Sequence, residues 1–195
     1  TMSRILPPLP EEMSAEQRAM YDDIVNGPRS QGRRSPFIND EGRLQGPFGM
    51  WNVAPNVGDA VQNVGVAVRY NTSLSDRLRE IGILAVGAAF QANYEWYAHA
   101  PLAVKAGVAE AQLATLKAGE MPDGLGEDEQ LAVQLARELV FDRTASEATM
   151  TAVIACLGEP ATVELVVLIG YYSLLCMTLN AFDVEVPAGV EKPFG

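Results

Sequence analysis

The sequence predicts an all-α fold, and three observations carry that reading. From residue 54 onward, apolar residues recur at helical rather than alternating spacing. No alternating stretch is longer than four residues; DVEVP at 183–187 comes nearest, and it is a tail. Capping and stop residues fall where such helices would begin and end.

Residues 1–13 read as an extended arm, because the prolines between Leu6 and Pro10 favour polyproline geometry. Ser14 followed by Gln17 resembles a capping box opening a helix to about Val25, which Gly27 and Pro28 end. Residues 28–50 are rich in Gly, Pro and Arg and read as a long loop without periodicity. A helical core follows over 54–182. Helix 54–70 has Pro55 in its first turn. Ser75 and Asp76 offer N-caps for 77–92, and Asn93 could cap 93–106, which Gly107 ends. Further helices are expected at 109–118, 127–142, 145–157 and 160–181. The expectation is a single domain over 1–195 with about seven to eight helices.

Composition limits the function. The chain is 48% hydrophobic and 20% charged, a globular balance. Its net charge of -11 repels phosphate backbones and anionic lipid, so neither nucleic acid nor a membrane surface is an expected partner. Residues 165–182 are long enough to span a bilayer, but they contain Gly170, Tyr171, Tyr172, Ser173, Thr178 and Asn180 and lack a Lys or Arg flank. They read as a central buried helix. That helix is apolar nearly all round, which predicts burial by more than one neighbour and a homo-oligomer. The N-terminal residues lack a positive-then-apolar signal pattern. The two cysteines, Cys156 and Cys176, lie in apolar runs without CxxC spacing and read as two buried thiols. Both points fit a cytoplasmic protein.

The chemistry concentrates in residues 94–107, YEWYAHAPLAVKAG. Glu95 and the single histidine of the chain, His99, are four residues apart and share a helix face that Leu102, Ala103 and Ala106 continue. An ionisable pair on an apolar face is costly unless the two groups satisfy each other or do work. Pro101 should kink the helix just after His99. Glu80 precedes a long apolar run; it reads either as a surface ion pair with Arg77 or as a third member of the site.

Together Glu80, Ala92, Glu95, His99, Ala103 and Gly107 follow a glutamate plus C-x-x-C-x-x-x-H pattern with a small-residue tail. This pattern, with TSLSDRLREIGILAVG and GYYSLLCMTLNAFDVEVP, resembles the carboxymuconolactone decarboxylase and alkylhydroperoxidase-D superfamily over roughly 45–187. The resemblance implies an all-α domain assembling as a trimer or hexamer. It also implies a departure, because Ala92 and Glu95 stand where the peroxidase branch has its two redox cysteines. A thiol peroxidase needs an attacking thiolate and a resolving thiol. The decarboxylase branch is the closer analogue: a lyase, or isomerase, acting on an unsaturated lactone acid from aromatic breakdown.

In that reading a small cyclic, anionic compound is the substrate, His99, Glu95 and Glu80 are catalytic, and no cofactor or resident metal is required. Arg33, Arg34 and Arg43 of the loop would hold the anion, and Trp51 and Tyr94 would wall the ring. Two alternatives stand beside it. Glu95 and His99 could be a structural pair in a non-catalytic or ligand-binding protein. Glu80, Glu95 and His99 could also ligate a divalent ion.

Overall fold

Helix α4, Asp76–Ala89, is the axis of the molecule in a computed structural model that describes residues 3–27 and 37–195. Ser75 caps it by accepting from the Leu78 N–H, and every residue from Leu78 to Gly87 is buried. A helix apolar nearly all round needs neighbours on every side. It has them in α5 (Asn93–Lys105), α7 (Glu127–Arg137) and α9 (Glu159–Ala181), with α6 (Glu110–Lys117) closing one end.

The remaining elements complete an all-helical fold with nine α-helices among the described residues. Helix α1, Ala15–Asn26, starts with the expected Ser14–Gln17 capping box. Helix α3, Pro55–Tyr70, carries Pro55 in its first turn. Helix α7 runs into a π-helical turn over Glu138–Asp142, and α8 spans Glu147–Leu157. The tail at 183–187 forms no strand; Ile38 and Leu44 make the single isolated bridge among the described residues.

Three local expectations are corrected. Residues 46–50 are not loop: they open α2, Gly46–Val53, which makes the ninth helix. Eight residues with two glycines show no periodicity, yet burial of Phe48, Met50 and Trp51 holds them helical. Asn93 does not cap α5; Ala92 occupies that position, and the Asn93 Oδ1 instead accepts from the Phe194 N–H at 2.7 Å. Cys156 is exposed on α8, whereas Cys176 is buried on α9.

Helix α9 is long and apolar enough to cross a membrane, but 50% of that apolar window is buried inside the fold. Its inward face carries Leu165, Leu168, Ile169, Tyr172, Leu175, Cys176 and Leu179. The outward face carries Val163, Val167, Leu174 and Met177.

Two glycines permit close approaches. At Gly58 an added Cβ would sit 2.5 Å from the Trp51 carbonyl oxygen, so α3 can fold back tightly on α2. Gly46 has φ +62°, and a Cβ there would lie 2.4 Å from the Tyr94 ring. The start of α2 thus rests directly on Tyr94 of α5.

Candidate active site

Helices α4 and α5 pack side by side, and this sets the three expected acid–base residues together. Glu80 faces α5 from the first half of α4, and Glu95 and His99 face back from successive turns of α5. All three are buried, with relative exposures of 2%, 2% and 4% respectively. His99 Nδ1 lies 2.6 Å from Glu80 Oε2, and His99 Nε2 lies 3.0 Å from Glu95 Oε1. The imidazole is therefore bracketed by carboxyl groups at both nitrogens. A carboxylate offers no proton and a neutral imidazole offers one. The contact with Glu80 is a hydrogen bond, which one ring proton supplies, and the approach to Glu95 is an ion-pair contact.

The reading of Glu80 as a surface partner of Arg77 is overturned. Arg77 turns to α7 and pairs with Glu129 at 2.5 Å, while Glu80 points into the core. Burial by itself would raise the Glu80 pKa. His99, followed by Arg69 and Arg79, outweighs that effect and holds the carboxyl below its ordinary range.

Arg69, at the C-terminal end of α3, is a site residue that the sequence reading missed. Its Nη2 lies 3.6 Å from Glu80 Oε1 and its Nη1 donates to the Tyr172 hydroxyl at 2.9 Å. Nη1 is also 3.4 and 3.3 Å from the two ring nitrogens of His99, a position over the ring rather than in line with either nitrogen. Burial disfavours the Arg69 charge, but Tyr172 and Glu80 more than offset this and raise its pKa. Tyr172, from α9, packs edge-on against His99 with ring centroids 5.2 Å apart. Burial pushes its phenol well up, so it stays protonated. One signal could have found Arg69: it is the sole basic residue between Arg43 and Arg77.

His99, Glu95, Arg69 and Tyr172 line a cavity of about 30 Å³, walled by Phe37, Pro47, Phe48, Tyr70, Tyr94, Ala98, Tyr171 and Leu175. Tyr94 is placed where expected. Trp51 is not: it lies behind the wall, edge-on to Phe48 and tilted against Tyr171. Its neighbours reach the cavity first, so it supports the wall without facing a ligand. Arg43 is also elsewhere, paired with Glu41 at 2.9 Å and donating to the Pro7 carbonyl. Arg33 and Arg34 lie outside the described residues. Helix α5 runs on through Pro101 as one helix.

Among the described residues no group of three His, Cys, Asp or Glu side chains is arranged to hold a metal ion. At His99 both ring nitrogens already face carboxyl groups, so a metal would have to displace one of them. Cys176 is also near. Its thiol is pushed well above its ordinary pKa by burial and then by Glu95. It is thus held as the unreactive thiol.

Comparison with known proteins bears on the family and the fold. Residues 55–138 match the carboxymuconolactone decarboxylase family, a narrower stretch than the 45–187 expected. That stretch contains Arg69, Glu80, Glu95 and His99 but not Tyr172. No curated protein matches the sequence. Among solved structures, an uncharacterized peroxidase-related protein with an alkylhydroperoxidase AhpD core, from Ralstonia eutropha JMP134, superposes with a TM-score of 0.75 at 13% identity, covering 96% of this chain and 94% of that one. ATU0492 from Agrobacterium tumefaciens, a putative antioxidant defence protein AhpD, gives 0.66 at 15% identity, covering 73% and 97%. A variant of the debrominase Bmp8 in complex with 2,3,4-tribromopyrrole gives 0.70 at 14% identity, covering 94% and 91%. At these identities the likeness shows the fold.

Proposed function

From a chain that is carboxymuconolactone decarboxylase-like over residues 55–138 and AhpD-like in fold, we propose a lyase or isomerase acting on a small cyclic, anionic compound, such as an unsaturated lactone acid. The observation that carries this reading is the buried Glu80–His99–Glu95 cluster at the wall of a cavity. His99 and Glu95 at that wall, with Glu80 hydrogen-bonded to the ring behind them, form a donor that can be emptied and refilled.

For the lyase reaction the steps balance. The bond to the leaving carboxylate breaks, and its electron pair enters the conjugated lactone as a dienolate while carbon dioxide departs. His99 then delivers a proton to carbon, the lactone carbonyl re-forms, and water restores the proton to the cluster. Glu80 and Glu95 orient the imidazole and compensate its charge. Peroxide chemistry is disfavoured, because Ala92 and Glu95 replace the paired thiols and Cys176 is held protonated.

A second reading has one observation in its favour. A cavity of about 30 Å³ has room for one or two waters, so a ring enters only with outward movement of the wall. That smallness suits a ligand-binding or non-catalytic protein in which the cluster is structural. Turnover separates the two. Unsaturated lactone acids are incubated with the wild type and with His99→Gln, and carbon dioxide release or isomerisation is followed. Product from the wild type and none from the folded variant supports catalysis. Binding without product from either supports the second reading.

The assembly we propose is a homo-oligomer, trimer or hexamer, in the cytoplasm. It is supported by the apolar outward face of α9, where Val163, Val167, Leu174 and Met177 fall on one side.

A further inference from the structure

We propose that Arg69 is the anion anchor of the cavity, holding the carboxylate of a ring-shaped ligand beside the Glu80–His99–Glu95 cluster. The proposal rests on the reading above that the cavity takes a small cyclic anion.

Among the described residues that line the cavity, Arg69 is the sole Lys or Arg. Its side chain is 12% exposed and lines the cavity. The guanidinium has five N–H groups in a planar fork. One makes a firm hydrogen bond, to the Tyr172 hydroxyl at 2.9 Å. The approach to Glu80 at 3.6 Å is an ion pair too long for a hydrogen bond. The approaches to His99, at 3.4 and 3.3 Å, lie over the ring rather than in line with either nitrogen. The fork therefore retains donors for a planar anion, and a carboxylate matches it in shape and charge.

The surroundings suit the rest of such a ligand in chemistry, and in size once the cavity wall has moved outward. Phe37, Phe48 and Tyr94 present rings to the cavity, and apolar walls strengthen a charge-assisted hydrogen bond. The other candidates are elsewhere: Arg43 is bound to Glu41 and Pro7. Pairing with Arg69 also stabilises the carboxylate it holds and slows that group's loss. In a lyase reaction the anchored carboxylate is therefore one that survives.

The probes are benzoate and its neutral isostere benzamide, titrated calorimetrically into the full chain. The wild type should prefer benzoate by about tenfold, the scale of one charge-assisted hydrogen bond. Arg69→Gln should abolish the preference, and Arg69→Lys should keep part of it. Since His99 is the only histidine, its ring protons give an isolated NMR signal. Benzoate should shift that signal in the wild type and benzamide should not. This second measurement stands even if Arg69→Gln fails to fold.

Equal benzoate affinity in the wild type and Arg69→Gln overturns the proposal, as does an unmoved His99 signal or no saturable benzoate binding. The two readings fail separately. Turnover lost in His99→Gln with benzoate preference intact in Arg69→Gln removes the anchor alone. Benzoate preference without turnover on any lactone acid removes the lyase or isomerase alone.

Discussion

Replacing His99 tests the cluster most directly, because the imidazole serves two buried carboxyl groups at once. In His99→Ala, Glu80 and Glu95 lose contacts of 2.6 and 3.0 Å and remain buried. Stranding the partner of a buried pair costs about 3–5 kcal/mol. In a chain of this length each kcal/mol lowers the melting temperature by roughly 2–4 °C. A fall of roughly 6–20 °C is therefore expected in circular dichroism melts. His99→Gln is milder, since its amide can donate to one carboxyl. Its carbonyl oxygen then faces the other, so a loss of about 1–3 kcal/mol is expected. The amide cannot shuttle a proton, and activity per folded molecule should vanish in both variants. An Ala variant within about 0.5 kcal/mol of the wild type, the scatter of an ordinary surface change, would refute the energetic argument. Full activity in folded His99→Gln would refute the proton relay.

Other outcomes follow from other residues. Gly46→Ala forces a Cβ into the Tyr94 ring at a positive φ, and should lower the urea midpoint by the equivalent of about 1–3 kcal/mol; an unchanged midpoint contradicts the close approach. Glu80 has a folded pKa below its ordinary 4.5, so its contribution to stability is complete above that value and is lost as pH falls through the folded pKa. Wild-type stability should therefore drop more steeply through that acid window than that of Glu80→Gln, and parallel curves would count against the paired carboxylate. Maleimide should label Cys156 in the native protein and Cys176 only after unfolding, as read by peptide mass; the double change to Ser should spare activity in folded protein. Light scattering should report an oligomer that Val167→Glu or Met177→Glu weakens, and a wild-type monomer at micromolar concentration would end the assembly proposal.

The fold was legible because its helices are long and clearly capped, as at Ser14 and Ser75. Helix α2 was not, since it is short and glycine-rich and tertiary burial alone makes it helical. Within the site, Glu95 and His99 could be paired by spacing on one helix. The contact of Glu80 with His99 depends on how α4 meets α5, which local sequence does not contain. Arg69 stands at a helix C-terminus, where the dipole favours a basic residue, so nothing local singles it out. The loop arginines attracted attention by their density, yet Arg43 is occupied by a neighbouring glutamate and a carbonyl. Tyr172 lay hidden in an apolar helix because its ring is core as well as packing on His99, and its hydroxyl meets Arg69 only in the folded chain.

The closeness of Glu80, Glu95 and His99 along the chain has a bearing on how the protein folds. The contact from His99 to Glu80 spans 19 residues, one helical hairpin, whereas the Arg69 to Tyr172 bond spans 103. Closing the short loop costs much less chain entropy than closing the long one. Helices α4 and α5 can therefore dock as a unit, with Glu80 already on the imidazole, before α9 seals the site from water. Amides of the α4–α5 hairpin should accordingly be among the last to exchange with deuterium under native conditions, and early exchange there would place the nucleus elsewhere.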